Sequence, residues 1–248
     1  MKCPPIVTLE TVLSTNAHLA QLASGSELPE GYTLASRYQR AGKGQGTNGW
    51  ESEAGKNLTF STLLYPRFLK ARDQFWLSKA IALSVHDFAG QFIPGTSIKW
   101  PNDLYVGEQK ISGTLIENIL EKDFIRQSVI GIGFNVNQVI FRGGAPNPVS
   151  LTQLTGKTYD IPTLLKSFLQ CIMHRYAQLK AGEFLSIDRE YHESLHKINT
   201  LSLFQDAEGI FRGTIKAVTP QGLLSMEKEN GKEAFYGFKE VEFLTGCS

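Results

Sequence analysis

The sequence predicts an α+β fold, with strands and helices mixed over residues 1–196 and a small β domain over residues 197–248. Up to residue 196, segments with helical periodicity alternate with short apolar runs that are typical of strands. From residue 197 onward, short β-like runs alternate with turns instead. A hydrophobic content of 42% and a charged content of 20% are typical of a soluble globular protein that can bury a substantial core.

The first region opens with a strand that leads into a helix over residues 8–23. Ser14 or Thr15 is expected to be the N-cap of this helix, because serine and threonine are favoured there. The expected buried face consists of Leu13, Ala17, Leu19, Ala20 and Leu22. Capping alone would explain these polar residues, but a helix N-terminus can also present N–H groups and hydroxyls to a polar ligand.

A glycine-rich loop over residues 39–50 follows a predicted strand at residues 31–38. The glycines and cations of this loop are Gly42, Gly44, Gly46, Gly49, Arg40 and Lys43. Such a loop can bring backbone N–H groups and cations to an anion, and the alternative is a flexible hairpin tip. The spacing matches G-x-G-x-x-G, but no helix is predicted to follow, so a Rossmann dinucleotide site is not favoured. The sequence contains no G-x-x-x-x-G-K-[ST], which excludes a P-loop.

The central motif is the stretch over residues 98–117, which reads I-K-W-P-N-D-L-Y-V-G-E-Q-K-I-S-G-T-L-I-E. It begins as a strand, breaks at Pro101, turns through Gly107 and resumes as a strand, because proline cannot continue a central strand. The polar side chains gathered around this otherwise apolar hairpin are Lys99, Asn102, Asp103 and Lys110. Their concentration favours a pocket for an anionic ligand, and the alternative is an exposed turn, since turns commonly contain such residues.

Further helices and strands are predicted before the β domain. Helices are expected over residues 74–90, 160–180 and 182–196, and strands over residues 57–64 and 124–134. The strand at 124–134 contains Gly131 and Gly133, and two glycines in a buried strand predict close approach of a ligand or another backbone. Asn135 and Asn137 would face the same side if this strand stayed extended.

The β domain is predicted from four short runs, at residues 201–205, 210–218, 223–228 and 234–238. Asn230-Gly231 lies between the last two runs, and Asn-Gly between strands is a strong hairpin signal. The runs therefore predict a compact, barrel-like domain.

Composition and charge exclude several classes of protein. The net charge of +1 gives no overall basic surface, so nucleic-acid binding is not supported. The cysteines, Cys3, Cys171 and Cys247, form no C-x-x-C pair, which argues against a disulfide framework or a zinc site. The sequence has no signal-peptide core and no apolar run of about 18 residues, so a cytoplasmic protein without a membrane segment is expected. The five histidines are scattered over predicted helices and are not expected to act as catalytic bases.

Five motifs occur in an order and spacing that resemble those of biotin protein ligases. They are Ser14-Thr15-Asn16, Gln39 before Gly42-Lys43-Gly44, Lys99-Trp100-Pro101-Asn102-Asp103, Lys110-Ile111-Ser112-Gly113 and Gly131-x-Gly133-x-Asn135. The resemblance covers essentially the whole chain, and K-W-P-N-D followed by K-x-x-G-x-L-x-E is highly specific. It implies the catalytic fold of class II aminoacyl-tRNA synthetases, with a mixed, largely antiparallel sheet, followed by an SH3-like β-barrel. Since the first motif begins at Ser14, the resemblance is to the monofunctional type without an N-terminal DNA-binding domain, and no DNA binding is expected.

The resemblance implies a two-step reaction. Biotin is activated with ATP to biotinyl-5′-AMP, with release of pyrophosphate, and is then transferred to a lysine of an acceptor. The implied acceptor is the biotin carboxyl carrier protein or domain of acetyl-CoA carboxylase or a related carboxylase. ATP and Mg²⁺ are the implied cofactors, with Mg²⁺ bound mainly through the ATP phosphates and no protein ligand assigned. Whether the chain forms a homodimer is left open.

The resemblance also implies roles for individual residues. Lys110 and Lys43 are the implied catalytic residues, because positive charge lowers the repulsion between a carboxylate and the α-phosphate. The implied biotin-binding residues are Ser14, Thr15, Asn16, Gln39, Gly42, Lys43, Lys110, Ser112 and Gly113. The implied ATP- and adenylate-binding residues are Arg40, Lys43, Gly44, Trp50, Asn102, Lys110 and Asn135. Gln45 departs from the family, which usually has an arginine there that helps to hold the adenylate.

Two alternatives to a biotin ligase remain open. A lipoate or other acyl-protein ligase would share the fold and the chemistry, but its R-R-x-x-G-G-G-x-V-x-H-type signature is absent from this chain. A non-catalytic binding module could use the glycine-rich loop to hold an anion. Such a module would have no need of both Lys110 and Lys43 around an α-phosphate.

Overall fold

The computed structural model describes residues 4–44, 46, 49–143 and 147–244. Its first sheet contains seven strands: β1 (Ile6–Val12), β2 (Thr33–Gln39), β3 (Leu58–Leu64), β4 (Thr96–Lys99), β5 (Asp103–Val106), β6 (Gln109–Glu121) and β7 (Phe124–Phe134). Their order in the sheet is β1-β2-β3-β7-β6-β5-β4. β1 and β2 are parallel and the other neighbouring pairs are antiparallel, which confirms the mixed, largely antiparallel sheet.

In the described residues, five α-helices accompany this sheet: α1 (Thr15–Gly25), α2 (Phe75–Gly90), α3 (Leu151–Thr155), α4 (Ile161–Lys180) and α5 (Phe184–Glu193). α4 agrees with its prediction, because Asp160 caps it by accepting a hydrogen bond from Thr163 N at 3.0 Å. The short α3 is not predicted. Among the described residues, no helix is long and apolar enough to span a membrane.

α5 ends earlier than the predicted helix over residues 182–196. The residues after it pair with the edge of β4 instead: Ile98 N donates to Ser194 O at 2.7 Å, and His196 N donates to Ile98 O at 2.9 Å. Backbone groups that hydrogen-bond to a sheet cannot also extend a helix, so this expectation is wrong at its C-terminal end.

The main hydrophobic core lies between the first sheet and the helices α2, α4 and α5. Phe88 of α2 stacks on Phe168 of α4 with ring centroids 4.2 Å apart, and Phe134 of β7 contacts Phe88 edge-on at 5.2 Å. The opposite face of the sheet carries α1, where Leu19 is fully buried. Leu13 and Ala17 are exposed, contrary to the prediction, because the first turn of α1 buries Thr15 and Asn16 instead.

The C-terminal region forms a second, antiparallel sheet. Its strands are β8 (Leu201–Asp206), β9 (Gly209–Val218), β10 (Leu224–Lys228), β11 (Glu233–Tyr236) and β12 (Glu242–Phe243), in the order β11-β10-β9-β8-β12. Four of them agree with the predicted runs, and β12 is not predicted. Within the described ranges, no pairing joins β11 to β12, so the sheet is open and the predicted barrel is not confirmed.

The two sheets share one buried core. Phe204, Ile215 and Met226 of the second sheet belong to the same cluster of buried side chains as Phe134 of the first. Trp100 also joins them, since its indole Nε1 donates to Gly222 O at 3.0 Å. The second sheet is thereby held against the turn between β4 and β5.

Candidate active site

A cavity of about 410 Å³ lies between the α1 side of the first sheet and residues 238–243 of the second. It gathers most of the residues that the sequence motifs single out. The predicted site residues that line it are Ser14, Thr15, Asn16, Gln39, Lys43, Gly44, Trp50, Lys110 and Gly113. Segments far apart in sequence therefore meet at one site, which favours the pocket over an exposed turn.

The first turn of α1 forms a polar wall of the cavity. The Gln39 Oε1 atom accepts hydrogen bonds from Thr15 N at 2.8 Å and from Thr15 Oγ1 at 3.1 Å. Ser61 on β3, which sequence reasoning missed, is fully buried and donates to Asn16 Oδ1 at 2.5 Å. Ser14 is the N-cap as predicted, but its hydroxyl makes no capping hydrogen bond. Capping by that side chain therefore does not explain the motif.

The described ends of the glycine-rich loop pair with each other as a hairpin beside the cavity. Trp50 N donates to Gly42 O at 2.9 Å, and Lys43 pairs with Gly49 in an antiparallel bridge. A Cβ built on Gly42 would lie 2.5 Å from Trp50 O, which explains the need for glycine there. Gln45, the departure from the family pattern, lies outside the described residues.

Trp50 projects from this hairpin into the cavity and packs on the backbone of two glycines. A Cβ on Gly133 would lie 2.1 Å from Trp50 Cε2, and one on Gly113 would lie 3.0 Å from Trp50 Cζ3. The close approach that the glycines of β7 predict is therefore that of a side chain from the loop. Gly131 is approached by a second side chain, that of Asn16, since a Cβ built on Gly131 would lie 2.1 Å from Asn16 Oδ1.

Two buried polar atoms of the cavity lining have no hydrogen-bond partner among the described residues. They are Trp50 Nε1 and Thr114 Oγ1. An unpaired buried donor or hydroxyl costs free energy, so such atoms are normally satisfied by protein, water or ligand. Thr114 lies one residue beyond the predicted Lys110–Gly113 motif, and its proximity to that motif is the only sequence signal for it.

Lys110 stands at the start of β6 beside Asp103 of β5. Their side chains form an ion pair, and the Lys110 ammonium lies 5.9 Å from the centre of the Trp50 ring. The backbone of Lys110 is fixed by a 2.8 Å hydrogen bond to Asn147 O. The ammonium is thus positioned inside the cavity, between a carboxylate and an aromatic ring.

Lys99, the other lysine of the central motif, lines the same cavity in a more apolar setting. Its ammonium lies 4.7 Å from the centre of the Tyr105 ring and 5.0 Å from that of Phe243. Burial lowers the pKa of Lys99, the Asp103 carboxylate opposes this shift, and the charge of Lys110 adds to it.

Five predicted site residues do not line the cavity: Arg40, Gly42, Asn102, Ser112 and Asn135. The side chains of three of them, Asn102, Ser112 and Asn135, hold neighbouring segments together. Asn102 Nδ2 donates to Thr114 O at 3.2 Å, Ser112 Oγ donates to Gly133 O at 2.8 Å, and Asn135 Nδ2 donates to Val149 O at 3.1 Å. Their roles as ligand contacts stay predictions.

Asn135 and Asn137 do not share an extended strand, because β7 ends at Phe134. Asn137 Nδ2 donates to Tyr159 O at 2.8 Å, whereas the Asn135 amide is directed to Val149 O. The expectation that both face one side therefore does not hold.

The second sheet contributes a wall of the cavity that sequence reasoning missed. Its lining residues are Phe238, Lys239, Val241, Glu242 and Phe243. Local patterns give no signal for their role, since only the packing of the two sheets brings them to the site. No group of three or more His, Cys, Asp or Glu side chains in the described part of the chain could hold a metal ion.

Comparison with known proteins identifies the family. Residues 9–135, more than half of the chain, match the Biotin/lipoate A/B protein ligase family. The chain belongs to this family. Within the family, it is 29% identical over 237 residues to the bifunctional ligase/repressor BirA of Bacillus subtilis, covering 91% of this chain and 70% of that protein. It is 26% identical over 237 residues to the biotin–[acetyl-CoA-carboxylase] ligase of Paracoccus denitrificans, covering 90% of this chain and 97% of that protein.

Solved structures of the family have the same fold. The biotin protein ligase of Aquifex aeolicus in complex with biotin and ATP superposes with a TM-score of 0.80 and 26% sequence identity. The superposition covers 97% of this chain and 99% of that one. The overall arrangement described above is therefore the fold of biotin protein ligases.

Proposed function

We propose that this protein is a biotin protein ligase, which converts biotin and ATP to biotinyl-5′-AMP and pyrophosphate. It then transfers the biotinyl group to a lysine of the biotin carboxyl carrier domain of acetyl-CoA carboxylase or a related carboxylase. The observation that carries the proposal is that the Lys110–Asp103 ion pair and the glycine-rich hairpin, with Lys43 and Trp50, meet in one cavity. The relatives named as biotin ligases support the choice of acid.

In the first step, a biotin carboxylate oxygen forms a bond to the α-phosphorus of ATP, and the bond from that phosphorus to the pyrophosphate oxygen breaks. Both reactants are anionic, so the step needs fixed positive charge more than it needs proton transfer. Lys110 supplies that charge from β6 and Lys43 supplies it from the hairpin. Asp103 holds the Lys110 ammonium in place until the substrate oxygens bind.

The polar wall suits the ring of biotin, whose ureido group both donates and accepts hydrogen bonds. Ser14, Thr15, Asn16 and Gln39 present hydroxyl and amide groups at one end of the cavity. Trp50 covers this region from the hairpin, and a covered mixed anhydride is protected from hydrolysis. In the second step, the acceptor lysine attacks the acyl carbon and AMP leaves.

Magnesium fits this site as an ion carried by the nucleotide. Among the described residues, the lining includes two carboxylates, Asp103 and Glu242, and Asp103 is paired with Lys110. Mg²⁺ commonly binds through substrate phosphates with few protein ligands. When bound, it would neutralise charge on the phosphates of ATP. We expect chelation by EDTA to stop adenylate formation without unfolding the protein.

The proposal also covers the domain organisation of the chain. We assign the second sheet to the SH3-like class and the domain boundary to residues 196 and 197. The cytoplasmic location and the absence of DNA binding stay predictions from the sequence. Whether the protein forms a homodimer stays open.

ATP–pyrophosphate exchange tests the proposed activity, with biotin, lipoate or no acid as the variable. We expect exchange with biotin only. Exchange with lipoate alone would change the substrate within the same family, and no exchange from a folded protein would favour a binding module.

Transfer of biotin to the acceptor is tested with an apo carrier domain, which should gain one biotin by mass spectrometry. The same domain with its acceptor lysine replaced by arginine should gain none.

A further inference from the structure

The cavity wall that comes from the second sheet carries a lysine. Lys239 lies in the turn between β11 and β12 and lines the cavity together with Phe238 and Glu242. The turn is closed locally, since Gly237 N donates to Glu240 Oε2 at 2.6 Å and Glu240 N donates to Gly237 O at 3.1 Å. Glu240 is thereby engaged with its own turn, and among the described residues no ion pair includes Lys239.

The backbone of Lys239 has an unusual conformation for a lysine. Its φ angle is 67°, in the left-handed region that favours glycine. A residue with a side chain is strained there, and strain of this kind is often retained where a side chain has a function. The side chain itself is exposed, so burial of apolar surface does not account for its presence at this position.

Lys239 also lies against the glycine-rich hairpin. A Cβ built on Gly46 would lie 2.6 Å from the Lys239 ammonium. Glycine at position 46 therefore leaves room for that ammonium beside the loop backbone. The contact places a cation of the second sheet at the same loop that brings Lys43 to the cavity.

The charges of the lining leave an excess of positive charge for a ligand. The described lining residues include four lysines, Lys43, Lys99, Lys110 and Lys239, and two carboxylates, Asp103 and Glu242. Lys110 is paired with Asp103, and Lys99 is packed between aromatic rings. Lys43 and Lys239 are the two exposed lysines of the described lining, so both are accessible to the phosphates of a bound nucleotide.

We propose that Lys239 binds the β- and γ-phosphates of ATP, so that the second sheet contributes directly to nucleotide binding. The proposal rests on the biotin ligase function and adds a substrate-binding residue to it. Gly46 lies beside this lysine, and the same loop carries Lys43, so that Lys43 and Lys239 would both be near the triphosphate. AMP lacks the β- and γ-phosphates, and its binding should not depend on Lys239.

The test compares Lys239→Gln and Lys239→Arg with the matched control Lys232→Gln. Lys232 is an exposed lysine of the same sheet, in the turn between β10 and β11, and does not line the cavity. Binding of α,β-methylene ATP and of AMP is measured by calorimetry, and thermal melts check that each variant is folded. We expect Lys239→Gln to weaken binding of the ATP analogue about tenfold and to leave AMP binding within about twofold. Lys239→Arg and the control Lys232→Gln should both bind the ATP analogue with the wild-type affinity.

Exchange kinetics separate this proposal from the proposed function. Lys239→Gln should raise the KM for ATP about tenfold while the KM for biotin stays within about twofold. Wild-type-like binding of the ATP analogue by Lys239→Gln, or equal losses for the analogue and for AMP, would overturn the role of Lys239. Absence of biotin-dependent exchange in the wild type would contradict the ligase function instead, and the calorimetric comparison would still decide the role of Lys239.

Discussion

Gly131 and Gly133 show how far a single residue type can predict a site. Two glycines in a buried strand indicate close approach, and the structure places Asn16 and Trp50 against them. The identity of the approaching groups could not be predicted, because α1 and the glycine-rich hairpin bring them from distant segments. The ion pair of Lys110 likewise depends on the register between β5 and β6.

A methyl group at position 133 tests the packing of Trp50. Gly133→Ala would place its Cβ 2.1 Å from Trp50 Cε2, so the indole must move out of its position. We expect the rate of biotin-dependent exchange to fall at least about tenfold, because displacing a group in the site strongly lowers the reaction rate. Gly25→Ala is the control, since a Cβ there has no atom within 4 Å. Unchanged exchange and unchanged tryptophan fluorescence in Gly133→Ala would contradict this position of Trp50.

At the scale of elements, the strands and long helices follow their sequence patterns closely, and the deviations occur where another element competes. The predicted helix over residues 182–196 is cut short because the backbone at residues 194–196 pairs with β4. α3 is too short to show periodicity, and β12 has only two residues. The Ser150–Gln153 capping box and Gly156 are the local signals for α3, whereas local patterns cannot predict β12, because its pairing with β8 decides it.

The pairing at β4 gives a pH dependence to stability through His196. Its Nδ1 atom lies 3.0 Å from Ser97 Oγ, and burial lowers the pKa of His196, opposed by Glu108 and aided by Lys197 and Lys99. The unfolded chain binds a proton near the ordinary histidine pKa of about 6.5, but the folded chain binds it only at lower pH. The free energy of unfolding should therefore fall as pH drops through about 6.5 toward the lowered pKa.

Urea unfolding at several pH values measures this effect. His196→Gln should flatten the dependence between about pH 7.5 and 5.5, where histidine titrates. His174→Gln, at an exposed position of α4, should keep the wild-type slope. An identical slope in His196→Gln and the wild type would rule out His196 as its source.

The junction between the two sheets gives a second prediction at the scale of elements. Gly222 has a φ of 90°, and a Cβ there would lie 2.4 Å from the Phe75 ring, whereas Gly231 has a φ of 82° and open space around it. Gly231→Ala should cost about 1 kcal/mol through backbone strain alone. Gly222→Ala should lower the free energy of unfolding by about 1–3 kcal/mol more, because it adds a steric clash. Equal losses in the two variants would show that the contact with Phe75 is not rigid.

At the scale of the whole molecule, the family motifs predict one wall of the cavity and the packing of the two sheets supplies the other. The continuous core that joins Phe134 to Phe204 fixes the second sheet beside the first. Residues 238–243 could not be predicted as part of the site, since their role depends on this packing and not on a local pattern. The barrel predicted for the second sheet is not confirmed, because closure depends on pairing between its edge strands, which no local pattern decides.

Single-turnover formation of biotinyl-5′-AMP tests the proposed role of Lys110, with wild type, Lys110→Ala and Lys216→Ala measured side by side. Lys216 is a matched lysine with an ion-pair partner, Glu227, on the second sheet. We expect the wild type and Lys216→Ala to form the adenylate at the same rate, and Lys110→Ala to be slower by about a hundredfold or more while melting cooperatively. Formation of the adenylate by Lys110→Ala at the wild-type rate would contradict a role of Lys110 in activating biotin.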